Sequence, residues 1–380
     1  MSEKALSTLK ASLAMIGAIV GAGIFGLPAA FVHVGFWPAT ILFFVLAVAV
    51  TITHLFFAEQ LLSIREKHRL TWLAKHSLGT WGEWLAQLTY PLQIIAANYA
   101  YLLLGGEFLD VIARSAGIAI PVGIWQILFW FVCATTVYFG LKMMARVNAY
   151  ATAALIVALI WSVIVLLPHV DIRAVARADW SDWYLPFGVF LFTLSGLSSI
   201  GEVVEIANRK RKQAYIAVAS GTLVSAAVSW VFGCIIYLSA GGYPVRTVSE
   251  IASVFPEQYA LLIPIVGLLA VATSYFTSAE DLKVSFTHDY KLGKVLAPAL
   301  ALGTPLVMLA IFPRDFLATI SFVGAVFIGI NSMIVSMIAV NGFGRHKTRW
   351  IRVGGALVSS GIFFIFLFGV LQRLLSRELL

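Results

Sequence analysis

The chain has 380 residues, 61% of them hydrophobic and only 12% charged, with a mean hydropathy of +0.94. So apolar a composition, with apolar runs recurring from end to end, excludes a soluble domain and defines an all-α polytopic membrane protein. The net charge of +8 sits in short loops between those runs, where the membrane explains it better than a nucleic-acid partner, and the length of the runs without alternating polarity excludes an outer-membrane barrel.

The first apolar run, Ser12 to Val34, flows into a second span and lacks a small-residue cleavage site, so it reads as a membrane span and not as a removable signal. Inside it lies Gly17-Ala-Ile-Val-Gly-Ala-Gly-Ile-Phe-Gly-Leu-Pro28. Glycine costs about 1 kcal/mol in a helix interior and proline removes a donor, so Gly21, Gly23 and Gly26 ahead of Pro28 predict an unwound helix near mid-membrane. Backbone groups laid bare at that depth must be buried in protein or line a wet cavity, which is how transporters build a substrate site.

Further spans are predicted at Trp37 to Leu62, Trp84 to Val111, Pro121 to Leu141, Val147 to Leu167, Tyr184 to Ile206, Ala214 to Ala240, Tyr259 to Leu282, Val295 to Phe312, Phe316 to Val340 and Ile351 to Leu375, eleven in all. Cys133 and Cys234 fall inside spans and read as packing residues. Thr71 to Gly79 and Val248 to Phe255 are too polar to span and are expected along the interface. Nineteen of the 26 Lys and Arg residues fall on one side of this arrangement, in clusters such as Arg65 to Lys75, Arg209 to Lys212 and Arg345 to Arg352. Arg114, Arg173, Arg177, Arg246, Arg314, Arg373 and Arg377 fall on the other. The positive-inside rule then puts the N-terminus in the cytoplasm and the C-terminus outside.

The sixth span carries Phe192-Thr-Leu-Ser-Gly-Leu-Ser-Ser199, small hydroxyl residues around Gly196 in an apolar run. Spans one to five and six to ten form two five-helix halves, about 8–167 and 183–340, within a single domain of 1–380, and the last span is extra. An odd number of helices per half inverts the second half in the membrane. The two glycine clusters therefore occupy corresponding positions of inverted repeats. Either cluster alone also fits a packing glycine at a helix crossing. Their pairing favours a site.

Three stretches carry a resemblance: Gly21-Ala-Gly-Ile-Phe-Gly-Leu-Pro28, Phe192-Thr-Leu-Ser-Gly196 with the basic loop Arg209 to Lys212, and Ala272-Thr-Ser-Tyr275. Over nearly its whole length the chain resembles bacterial amino-acid permeases of the amino acid/auxin permease group, in the hydroxy and aromatic amino-acid branch of the amino acid/polyamine/organocation superfamily. The resemblance implies the leucine-transporter fold, with an amino-acid site at broken helices one and six. It also implies a bacterial inner-membrane location and an aromatic or hydroxy amino acid as substrate.

A zwitterion needs donors for its carboxylate and acceptors for its ammonium. Free amides from Gly21, Ala22, Gly23 and Ile24, at the positive end of a half-helix, suit the carboxylate. Oxygens near Phe192, Thr193, Ser195 and Gly196 suit the ammonium. Asn98 and Tyr99 of the third span either complete the pocket or serve as polar packing residues. Ala270-Val-Ala-Thr-Ser274 resembles the Ala-x-x-Thr-Ser of sodium-coupled members of the fold, with the carbonyls of Gly17 and Val20 as partners of Ala270, Thr273 and Ser274. Proton-driven aromatic permeases resemble the chain there too, and the two hydroxyls also fit bonds back to their own helix. The coupling ion is therefore a proton or sodium, and no other cofactor is expected.

Among acidic residues, Glu202 is the expected proton carrier, one turn beyond Gly196, where burial would raise its affinity for a proton. Glu205 is placed to pair with Arg209 and Glu280 with Lys283; Glu59, Glu107 and Asp110 lie near helix ends and read as solvated or paired. His33 and His54 read as satisfied histidines in packed spans. There is no His-Glu-x-x-His, no cysteine pair at metal spacing and no Gly-x-x-x-x-Gly-Lys in the sequence, so neither a hydrolase nor an ATP-driven pump is expected. The expectation is a cation-coupled amino-acid transporter in the lipid bilayer; the alternative is a channel or a non-transporting amino-acid sensor on the same scaffold.

Overall fold

A computed structural model describes residues 3–63, 70–139, 141–176, 178–179, 183–243, 245–344 and 349–375. Arg65, Lys67, Arg69, Arg177, Arg345, Lys347 and Arg377, which entered the charge argument, lie outside the described residues, as do the side chains of Lys142, Arg146, Arg349 and Arg352. Sixteen α-helices follow one another among the described residues. They are α1 Glu3–Ile19, α2 Leu27–Val34, α3 Phe36–Ser63, α4 Leu70–Leu78, α5 Thr80–Ser115, α6 Val122–Phe139, α7 Leu141–Leu166 and α8 Tyr184–Leu194. Then come α9 Ile200–Ile206, α10 Arg211–Ser239, α11 Val248–Ser253, α12 Leu262–His288, α13 Leu296–Ile311, α14 Phe316–Phe322, α15 Gly329–Gly344 and α16 Arg349–Leu375.

By length and composition seven helical segments among the described residues can cross a membrane, and α1 with Ala22–Val34 adds a pair bent by 44°. Val122–Tyr138, Ala153–His169 and Leu296–Ile311 are shorter apolar helices. Large apolar side chains such as Trp84, Phe131, Phe364 and Phe368 stand exposed on the outside of the bundle. Such a surface is tolerable only against lipid, so the protein is integral to a membrane. Of the two segments expected at the interface, one is α4, and the other is α11, whose start is fixed by a capping box between Thr247 and Glu250.

The apolar core divides into two clusters. On helix after helix the sequence passes from one cluster to the other across polar residues or a break. Ile19 and Val20 fall on opposite sides, as do Leu197 and Leu194, Phe57 and Val50, Val218 and Ala226, and Ile334 and Ile328. Between the paired positions sit His54 on α3, Thr222 on α10 and Asn331 on α15, all buried. A polar layer thus cuts the bundle at the level of the breaks, and its groups bond to one another because hydrocarbon offers them nothing.

The tenth expected span, Phe316 to Val340, is helical but not regular α-helix throughout. Residues Val323–Ile328 form a π-helical segment between α14 and α15. The reason is a backbone crossing with α8: a Cβ on Gly324 would lie 1.9 Å from the Gly188 carbonyl oxygen, and one on Gly188 would lie 1.9 Å from that of Ser321. Neither glycine admits a side chain, and the widened turn accommodates the contact.

Candidate functional site

Both expected breaks are present. Val20 N–H still bonds Ile16 O at 2.8 Å, but Ile24 N–H reaches only to Gly21 O, starting the 3₁₀ turn Ala22–Gly26 that leads into α2. The amides of Gly21, Ala22 and Gly23 have no partner among the described residues, and the carbonyls of Gly17 and Val20 accept no backbone bond there. All of residues 20–31 are buried. In the second break α8 ends at Leu194, Ser195 N–H turns back to Phe192 O, and a 3₁₀ turn Leu197–Ser199 leads into α9. Orphan donors at the start of one half-helix thus meet open carbonyls at the end of another, a pairing suited to a zwitterion.

The two breaks touch. Thr193 Oγ1 lies 2.9 Å from Gly23 O and 2.8 Å from Val189 O, sharing its single proton between them. A Cβ on Gly23 would meet Thr193 Cα at 2.8 Å and Thr193 Oγ1 at 2.9 Å. Gly23 is therefore small because α8 lies against it. The crowding that excludes a side chain at Gly23 is a contact between the two breaks.

On α5, Asn98 is fully buried; its Oδ1 accepts from Ser278 Oγ and its Nδ2 has no partner among the described residues. Ser278 also reaches Ser274 O at 2.7 Å, and a Cβ on Gly21 would lie 2.7 Å from Ser274 Oγ, so α12 brings Asn98 toward the first break. Tyr99 points elsewhere. Its hydroxyl donates to Pro313 O at 2.6 Å, in the turn ahead of α14. The aromatic residue beside the second break is Tyr101, with its ring 6.2 Å from that of Phe192. Residues 98 and 101 share a helix face and 99 does not, a rotation that spacing alone left open.

Thr273 and Ser274 both bond back to Ala270 O, at 2.9 Å each. Both hydroxyls are thus bonded within their own helix, and among the described residues no group of three or more His, Cys, Asp or Glu side chains is placed to hold a metal ion.

Of the acidic candidates, Glu205 pairs with Arg209 at 2.7 Å and Asp110 with Arg114 at 2.7 Å. Glu280 pairs with Lys283, and Glu59 is held by Arg211 and Tyr215 at 2.5 Å each. Glu107 accepts from the Val248 amide at 3.4 Å. Glu202 is exposed on α9 and is not enclosed by protein.

Three polar contacts were not foreseen. Asp281 on α12 accepts from Tyr90 on α5 at 2.6 Å. His54, 2% exposed, touches the second break directly: Gly196 N–H donates to its Nε2 at 3.3 Å, and its Nδ1 lies 3.0 Å from Thr222 Oγ1. Its position on the apolar α3 concealed that partner, 142 residues away in sequence.

This architecture recurs in a solved membrane-transport protein. An inward-facing structure of Mhp1 superposes with a TM-score of 0.60 at 14% identity, covering 96% of this chain and 90% of that one. Mhp1 in a closed conformation with bromovinylhydantoin bound, described as a nucleobase-cation-symport-1 family transporter, gives 0.61 at 15% identity, covering 94% and 92%. At that identity the likeness shows the fold, which is that of a helical transporter. A model of the tryptophan/tyrosine permease family matches residues 4–376, and the chain belongs to that family. The expected superfamily and an amino-acid permease role are thereby established. No curated protein gives a significant match.

Proposed function

We propose that the protein is a cation-coupled importer of aromatic amino acids, tryptophan or tyrosine first among them, working by alternating access in a bacterial inner membrane. The observation that carries this reading is the row of unpartnered buried amides at Gly21, Ala22 and Gly23, placed beside the open end of α8. These amides take the substrate carboxylate; Phe192, Thr193, Ser195 and Gly196 offer oxygens to the ammonium; Asn98 Nδ2 supplies a further donor, and Tyr101 and Phe192 an aromatic wall. In this reading the chain crosses the membrane eleven times as two inverted five-helix halves plus α16, with its N-terminus cytoplasmic. Coupling to a cation agrees with the fold's use in a protein described as a cation symporter, an argument by analogy.

The test is uptake of tritiated tryptophan and tyrosine into proteoliposomes under independently imposed proton and sodium gradients. Accumulation above equilibrium under either gradient supports the reading. Equilibration without accumulation makes the protein a uniporter or channel, and saturable binding without flux makes it a sensor.

A further inference from the structure

We propose that His54 is a proton-binding site whose occupancy is coupled to the geometry of the second helix break; the inference rests on the transport reading above. The bonding around the ring fixes its protonation. A backbone N–H can only donate, so Nε2, which faces the Gly196 amide, carries a lone pair. Thr222 Oγ1 donates to Val218 O at 2.8 Å and therefore accepts from Nδ1–H. His54 is neutral here, in the Nδ1–H tautomer, with both nitrogens satisfied.

This arrangement and a proton on Nε2 exclude one another. An imidazolium would present Nε2–H to Gly196 N–H, donor against donor, and leave a charge buried without a counter-ion. The titratable groups on the surrounding elements offer none. Glu59 on α3 itself is held by Arg211 and Tyr215 of α10, Glu205 is held by Arg209, Glu202 is exposed, and among the described residues neither they nor Lys10 of α1 bond to the ring. A proton therefore binds Nε2 only where the Gly196 amide has turned away. Gly196 is where such turning is easiest. It lies between the end of α8 and the turn Leu197–Ser199, its Ser195 neighbour bonds only one turn back, and a Cβ on it would meet Ile19 at 2.6 Å, on the first helix just before its own break.

By linkage, whatever re-seats Gly196 against His54 expels the proton, and proton binding favours the state in which the break has moved. The atom balance is simple: one proton is gained at Nε2, one hydrogen bond from Gly196 is given up, and the Nδ1–H bond to Thr222 persists through both states. A group that titrates only when the substrate's own helix moves is the element a proton symporter needs.

The experiment uses full-length protein in proteoliposomes with tritiated tryptophan. His54→Gln keeps an oxygen to accept from Gly196 N–H but cannot titrate. The expected result is tryptophan counterflow within about threefold of wild type, together with at least a tenfold loss of accumulation driven by an imposed pH gradient. Accumulation by the variant at the wild-type level overturns the proposal. Wild-type accumulation that follows sodium and ignores the pH gradient also overturns it, while leaving the transport reading intact; absence of wild-type flux removes the transport reading itself. Should the variant fail to fold, wild-type protein labelled with ¹⁵N-histidine decides. The His54 resonance should titrate with a midpoint that shifts by more than half a pH unit on saturation with tryptophan. A midpoint indifferent to ligand refutes the coupling.

Discussion

Replacing Gly23 by alanine tests whether the two breaks are held together by contact. The added Cβ would sit 2.8 Å from Thr193 Cα and 3.2 Å from Phe192 Cδ1, whereas carbon atoms rest at about 3.5–4.0 Å. The first of these is a backbone atom, so no rotamer change relieves it. Overpacking of this kind costs about 1–3 kcal/mol, and loss of the Thr193 to Gly23 hydrogen bond adds about 0.5–1.5 kcal/mol. Against this, alanine recovers about 0.5–1 kcal/mol of the chain entropy that glycine loses on folding. The net is a destabilisation of about 1–3 kcal/mol, confined to states in which the breaks touch.

Thermal unfolding in detergent and tryptophan binding by titration calorimetry, measured on the same preparation, read this out. Gly201→Ala is the control, because nothing lies within 4 Å of a Cβ there. Gly23→Ala should unfold several degrees lower than both the control and wild type, and its tryptophan affinity should change with it. Wild-type stability with abolished binding would show that Gly23 makes room for ligand after all and would refute the contact argument. Wild-type values of both would refute any role for the position.

Gly324→Ala, whose Cβ would lie 1.9 Å from a backbone oxygen, should cost about 3 kcal/mol or more, whereas Gly361→Ala, with open space around it, should be neutral or slightly stabilising; unfolding temperatures compare the two. Asn98→Ala removes the unpartnered Nδ2 donor while Ser278 keeps Ser274 O as acceptor, so tryptophan affinity should fall about tenfold; unchanged affinity removes Asn98 from the site. Glu202→Gln should leave pH-gradient-driven uptake within about twofold of wild type because the carboxylate is exposed, and a collapse of that uptake would restore it as the proton carrier. Thr273→Val removes one hydroxyl oxygen from α12 and should abolish any sodium stimulation of uptake without altering counterflow in sodium-free buffer.

The breaks were legible because their cause is local: glycine and proline weaken a helix wherever it packs. The same holds for the Glu205 to Arg209 pair, which needs only helical spacing. What spacing could not give was rotation and partnership. Tyr99 and Tyr101 are indistinguishable in an apolar run, yet one bonds Pro313 and the other stands beside Phe192. His54 is an isolated polar residue until α3 meets the second break. Gly324 resembles any small residue of a span, and its π-helical setting arises only from the crossing with Gly188 on a helix far away in sequence.

The division of the core connects these points. Each apolar cluster is continuous on its own side, whereas the layer between them holds together through a few directional bonds: Thr193 to Gly23, Gly196 to His54, His54 to Thr222, Thr89 to Asn331 and Asn331 to Gln93. Each contributes only about 0.5–1.5 kcal/mol net, less than the burial of one large side chain. Bonds of that size can be exchanged for bonds to a zwitterion or a proton, while the packed clusters above and below cannot be opened so cheaply. Motion is therefore expected to concentrate in this layer, where α1 and α8 end and where the residues proposed to hold substrate and proton lie.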